Sequence, residues 1–190
     1  MTKDEDVAAL VRATEDAFGG LDVAFDNAGE FGPTGQIDEM SPEEWAADVT
    51  ALLTSVFLPL RHEIPAMRRR GGGSVVNTAS TLGAVGISGG ISSYTAGKHG
   101  VIGLTKAAAL EYAHANIRVN ALALGTVDTP RYRAFVGDSQ ETLDMLDSLH
   151  PLGRIGTAEE AASAVVCLAG DEAAFFTGSV LAMDGGWTAR

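Results

Sequence analysis

Cysteine is almost absent from this chain: Cys167 is the only one, so no internal disulfide can form and nothing calls for an oxidising compartment. It lies in an Ala/Val/Leu run, which predicts a buried, inert thiol. Positive charge is scarce too. Lys and Arg number 13 against 25 Asp and Glu, giving a net charge of −12 and a pI near 4.6, which argues against nucleic acid as a partner, because phosphate neutralisation needs a basic face. The one cationic run, Arg68 to Arg70, sits directly before Gly71, Gly72 and Gly73 and reads as a solvated helix end favoured by the helix dipole. No apolar stretch reaches membrane-spanning length, and the opening MTKDEDVAAL is charged where a signal peptide has its apolar core. A cytoplasmic protein with no membrane partner is expected. The four histidines, His62, His99, His114 and His150, show no metal-ligand spacing. Each reads as solvent-facing or hydrogen-bonded, and no metal is expected.

What the chain does have is a 46% hydrophobic composition with 23 glycines in 190 residues, which predicts one globular domain over 1–190 able to fold without staples. Thr2 and Glu5 suggest a capping box for a first helix, whose apolar positions Val7, Leu10, Val11 and Phe18 recur at helical spacing until Gly19 and Gly20. Leu21 to Asp26 reads as a short strand. Ser41, Pro42 and Glu44 open a second helix that carries on toward Met67, with distortion expected at Pro59 and Pro65. Ser74 to Thr78 is a strand, 80–93 a Gly/Ser loop, and 93–113 an Ala-rich helix. Ile117 to Leu124 is the nearly continuous apolar run of a parallel strand. A short helix near Glu141 to Leu149, a helix capped by Thr157 and Glu160 that runs to Gly170, and a strand from Val180 to Met183 complete the series. Alternating strands and helices predict an α/β fold with a parallel sheet covered on both faces and right-handed crossovers.

The sharpest chemical feature is Tyr94-Thr95-Ala96-Gly97-Lys98, since a spacing of four on a helix puts phenol and ammonium on one face. A phenol is a poor acid/base at pH 7, and a nearby cation lowers its pKa. Tyr94 would then exchange a proton with an alcohol or carbonyl oxygen. Fourteen residues earlier, at the end of a predicted strand, the hydroxyl of Ser80 could donate to the same oxygen.

Taken in order, these features resemble the short-chain dehydrogenase/reductase family. Asp22 to Gly29 (DVAFDNAG) is similar to the family's strand ending in Asn-Asn-Ala-Gly, and Val75 to Ser80 (VVNTAS) to its serine-bearing strand. The Tyr-x-x-x-Lys helix, Ile117 to Leu122 (IRVNAL), a cofactor loop ending Thr126-Val127-Asp128-Thr129-Pro130, then Pro151 to Arg154 and Asp184 to Gly186 follow in the family's order. The resemblance implies a Rossmann-like doubly wound parallel sheet and an oxidoreductase moving hydride between NAD or NADP and an alcohol/carbonyl substrate. It also implies roles. Tyr94 is the general acid/base, Lys98 lowers its pKa and holds the nicotinamide ribose, and Ser80 orients the substrate oxygen. Asn27, Ala28 and Gly29 pass the ribose and adenosine side of the cofactor, with Val127 and Thr129 near its carboxamide and phosphates. A homodimer or homotetramer is expected, with the long helix from Ser41 and the Tyr-bearing helix as dimer contacts.

The chain also departs from the family. No Gly-rich dinucleotide fingerprint precedes the first helix, so the fold reads as N-terminally truncated by roughly sixty residues, and the choice between NAD and NADP is not legible. The strand Leu21 to Asp26 would then be a hydrophobic edge. Leu52 stands where an active-site Asn usually sits, Leu124 replaces the Pro of a Pro-Gly pair, and Asp26 replaces the first Asn of Asn-Asn-Ala-Gly, a mild change on its face. Asp138, Glu141 and Asp144 fall in the segment that caps the substrate pocket in the family, where an acidic solvated face explains them equally well. Trp187 reads as packing or an oligomer contact rather than a substrate platform. Two readings stay open: an oxidoreductase, or a non-catalytic association module that keeps the family's helices.

Overall fold

The computed structural model describes residues 1–32, 34–137 and 139–189, so Asp138 lies outside the described residues. Its strands are β1 (Val23–Asp26), β2 (Gly73–Ser80), β3 (Ile117–Leu124), β4 (Val127–Asp128), β5 (Gly156–Thr157) and β6 (Val180–Met183). β1-β2-β3-β6 form one sheet with every pair parallel, in registers that set Asp26 beside Asn77, Ser80 beside Leu124 and Leu124 beside Met183. β4 and β5 make a separate parallel pair. β1 is an edge strand, as the sequence led one to expect, with Val23 and Phe25 exposed on it.

The helices are α1 (Asp4–Phe18), α2 (Pro42–Val49), α3 (Ser55–Arg70), α4 (Ser92–Tyr112), α5 (Pro130–Val136), α6 (Gln140–Leu149) and α7 (Ala158–Ala169). The capping boxes at Ser41/Glu44 and Thr157/Glu160 form as read from the sequence. The one at Thr2/Glu5 does not: Lys3 is the N-cap and no side chain caps the helix. α1 is held instead by Val7 and Val11 against α3 and by ion pairs of Asp4 with Arg61 and Glu15 with Arg69, leaving Leu10 and Phe18 exposed. The long helix from Ser41 is interrupted by a π-helical turn at Thr50–Thr54, while α3 continues through both prolines. The physical reason is that Pro59 denies a donor to the Ser55 carbonyl and crowds it, and the widened turn lies immediately upstream of that point.

One face of the sheet carries α3 and α4, with α1 packed on α3, over a core that includes Val75, Val101, Ile117 and Val119. The other is covered by α7 through Leu168 on Val76 and Leu122. Each fully buried aliphatic side chain contributes about 1.5–3 kcal/mol. Arg118 on β3 fastens α7 by donating to the carbonyls of Leu168, Ala169 and Gly170, the unpaired acceptors of a helix C-terminus. Asn120 holds the following loop, donating to Phe176 and accepting from the Ser179 amide. Only Leu168 of α7 is buried, so Cys167, expected inside, is exposed instead.

Candidate active site

The carboxyl ends of β1, β2 and β3 lie side by side because the registers are parallel, and they deliver Asn27, Ser80 and Gly125 to one end of the sheet. Open α/β sheets bind ligands there. α4 crosses this end and places Tyr94 and Lys98 one turn apart. Gly97 between them permits the approach, since a Cβ there would meet the Cβ of Leu52 at 2.9 Å.

Three side chains converge. The Ser80 hydroxyl, 7% exposed, accepts from the Leu82 amide at 3.2 Å and reaches the phenol of Tyr94. Lys98 Nζ donates to the Thr78 carbonyl at 2.8 Å and lies 5.8 Å from the centre of the Tyr94 ring. Thr78 in turn donates to Asn27 Oδ1 at 3.0 Å. The electrostatics differ from the sequence expectation at one point. Burial pushes the Tyr94 phenol above its ordinary value, with the Ser80 hydrogen bond as the opposing influence, and Lys98 does not reverse it. The ammonium is itself pushed down by burial to about 8. Leu52, 2% exposed, contributes to that dry setting: both its Cδ2 and Lys98 Nζ lie 4.0 Å from where a Cβ on Gly29 would stand.

The position of Tyr94 is braced from two sides. Phe31 stacks on its ring at 4.6 Å between centroids. Ser93, fully buried, donates to the buried carboxylate of Asp48 at 2.5 Å, tying α2 to the first turn of α4. Asp48 also packs against Gly32, where any Cβ would overlap it. Sequence reasoning missed Asp48; an acid within an otherwise apolar helix face was the available signal.

Two hollows meet here. A groove of about 890 Å³ runs past Asn27, Ala28 and Gly29 and the small side chains of Ala46, Ala47 and Ala51. A cavity of about 540 Å³ opens on Ser80 and Tyr94, with Phe31, Leu82, Met145 and Leu146 among its apolar walls and Val127 and Thr129 along one side. Arg131 borders both. Trp187 packs edge-on against His150 at 5.2 Å, in keeping with its reading as a packing residue, and also lines the cavity. Glu141 and Asp144 lie on α6, none of whose residues is fully buried. No group of three or more metal-ligating side chains occurs among the described residues.

The groove kept open by small side chains, with Lys98 Nζ 4.0 Å from where a Cβ on Gly29 would stand, leaves room for part of a dinucleotide. A family model described as enoyl-(acyl carrier protein) reductase matches residues 1–188. Cyclohexanol dehydrogenase of Acinetobacter sp. (strain SE19) is 44% identical over 186 residues, which are 98% of this chain and 71% of that protein. Levodione reductase superposes with a TM-score of 0.94 at 36% identity, covering 100% of this chain and 75% of its own. ElxO with NADP bound gives a TM-score of 0.93 at 31% identity, covering 100% and 76%. The chain belongs to the short-chain dehydrogenase/reductase family and is an oxidoreductase that uses NAD or NADP to interconvert alcohols and carbonyl compounds.

Proposed function

We propose that Tyr94 is the general acid/base, that Ser80 orients the substrate oxygen and that Lys98 holds the nicotinamide ribose. The substrate we assign is an uncharged alicyclic secondary alcohol or its ketone. The observation that carries this reading is the convergence of Ser80 and Tyr94 at the wall of an apolar cavity of about 540 Å³, a size suited to burying a small ligand. Arg131, the charged residue on its border, is exposed and lies 3.4 Å from Glu30, while the inner walls are formed by apolar side chains. Cyclohexanol dehydrogenase, as its name states, acts on an uncharged ring alcohol.

In the reducing direction the phenol of Tyr94, kept protonated by burial, donates its proton to the carbonyl oxygen, and Ser80 donates a hydrogen bond to the same oxygen. In the oxidising direction Tyr94 takes the hydroxyl proton. The nicotinamide, when bound, supplies or accepts the hydride. Asn27, Ala28 and Gly29 would border its ribose and adenosine side, and Val127 and Thr129 its carboxamide side and phosphates. Residues 1–190 act as one domain in this reading. We also assign a homo-oligomer, with exposed Phe57 on α3 and Leu110 on α4 in its contacts, and a cytoplasmic setting in keeping with an exposed free thiol at Cys167.

Titration of the purified chain with NADH and NADPH, followed by nicotinamide fluorescence, is expected to saturate for at least one of them, and Lys98→Ala to weaken it about tenfold or more. Absence of binding by folded protein overturns the assignment of Lys98 and favours the association module. With cofactor bound, cyclohexanol is expected to be oxidised at least about 100-fold more efficiently than 3-hydroxybutyrate, whose carboxylate would be buried unpaired. The reverse preference rules out the apolar-substrate reading. Leu52→Asn gives Lys98 a polar neighbour in place of an apolar one, and the pH profile of cofactor binding is expected to move upward as the ammonium becomes harder to deprotonate.

A further inference from the structure

α6 lines the cavity with Thr142, Met145, Leu146 and Leu149, yet none of its own residues is fully buried. What holds its far end is His150, its C-cap, which is 2% exposed. The ring is engaged at both nitrogens. Nδ1 lies 2.8 Å from the Leu146 carbonyl, one turn back on α6, and Nε2 lies 3.0 Å from the backbone nitrogen of Thr126. A carbonyl only accepts and an amide N–H only donates, so these partners select the ring tautomer with its proton on Nδ1.

The surroundings are shaped to this ring. A Cβ on Gly125 would come within 2.7 Å of Nε2, and one on Gly185 within 3.2 Å of the histidine Cβ. The indole of Trp187, itself part of the cavity wall, meets the imidazole edge-on at 5.2 Å. Three parts of the cavity therefore touch one side chain: the capping helix, the aromatic wall, and the loop that begins at Thr126 and carries Val127 and Thr129. The Thr126 amide, next to Gly125 at the end of β3, has this imidazole as its acceptor.

We propose that His150 is a positioning residue of the substrate cavity, its imidazole pinning the C-terminal end of α6 to the Thr126 loop so that the substrate wall and the Val127–Thr129 segment stay in one register. The inference rests on reading this cavity as the substrate site. It assigns His150 no contact with substrate or with the reacting atoms. It acts through Leu146 and Thr126, and a small displacement of a cavity wall is enough to alter productive binding.

Two substitutions separate its bonds. His150→Gln keeps an acceptor at the reach of Nε2 toward Thr126, whereas His150→Asn keeps only a group at the reach of Nδ1 toward Leu146. Amide hydrogen exchange of the full chain reads the pin without any turnover. His150→Asn is expected to speed exchange at Thr126 and across 140–149 about tenfold or more while leaving α4 unchanged, and His150→Gln to recover most of the protection. In kinetics, His150→Asn is expected to raise the KM for a cyclic alcohol about tenfold with kcat within about threefold, and His150→Gln to restore it. Equal exchange in the two variants, or loss confined to kcat, overturns the proposal. If the wild-type chain turns over no alcohol, the functional reading fails while the exchange comparison still decides the role of His150.

Discussion

Tyr94→Phe is expected to lower turnover about 1,000-fold while leaving cofactor affinity within about twofold, because it deletes one proton-carrying oxygen and keeps the ring that Phe31 stacks on. Wild type carries a further signature. Burial holds the Tyr94 phenol above its ordinary value of 10.0, so between pH 6 and 9 the phenolate needed for alcohol oxidation is a minor species that grows about tenfold per pH unit. Oxidation should therefore rise steadily with pH, and ketone reduction, which uses the abundant phenol, should stay level across the same range. The residual activity of Tyr94→Phe should lack the slope. Steady-state rates in both directions at fixed saturation check this; a slope that survives the substitution would remove Tyr94 from the proton step.

The second large effect concerns stability and comes from Asp26. Its carboxyl is buried beside that of Glu63 on α3 and, across the strand register, beside Asn77. Asp26 Oδ2, Glu63 Oε2 and Asn77 Oδ1 all lack hydrogen-bond partners among the described residues, although Asn77 does donate to Thr105 at 2.9 Å. Burial drives both carboxyls toward their neutral forms: Asp26 to about 9, with the charge of Glu63 adding to the effect, and Glu63 to about 7. The unfolded chain ionises them near 3.8 and 4.5. Between those values and the folded ones the folded state holds protons that the unfolded state has released, so stability falls as pH rises from about 4 through about 9. Asp26→Asn removes one of the two acids and supplies donors among orphaned oxygens. It is expected to stabilise the chain by about 2 kcal/mol at pH 8, with little gain at pH 4. Urea unfolding at both values measures it; equal midpoints for the two proteins at pH 8 would mean that the pair is solvated or ionised without penalty. The replacement of Asn by Asp in the β1 motif, mild on its face, thus carries a pH-dependent cost to stability.

Much of the site was legible because its signals are local. Tyr94 and Lys98 share a helix face at any spacing of four, and Ser80 ends an apolar strand whose parallel neighbours must present their carboxyl ends together. Caps at Ser41 and Thr157 follow from the reach of a hydroxyl to an amide three residues on. The π-helical turn at Thr50–Thr54, the strands β4 and β5 and the helix α5 were not legible. They are short, and tertiary contacts select their geometry where intrinsic preference is weak.

The sequence by itself determined the main alternation of strands and helices, the parallel sheet and the family, and it nominated Ser80, Tyr94 and Lys98 for chemistry, since each of these readings depends on periodicity or on residues close along the chain. Tertiary structure alone decided the rest. It half-buried Tyr94 and buried Lys98, so that desolvation is the leading influence on both. It joined Asp48 to Ser93 across 45 residues and His150 to Thr126 across 24. It brought Asp26 against Glu63 and turned Trp187 into the cavity. These pairings carry no pattern in the chain, because a polar or aromatic side chain acquires its partner only when packing closes the distance and removes the water that would otherwise take its place.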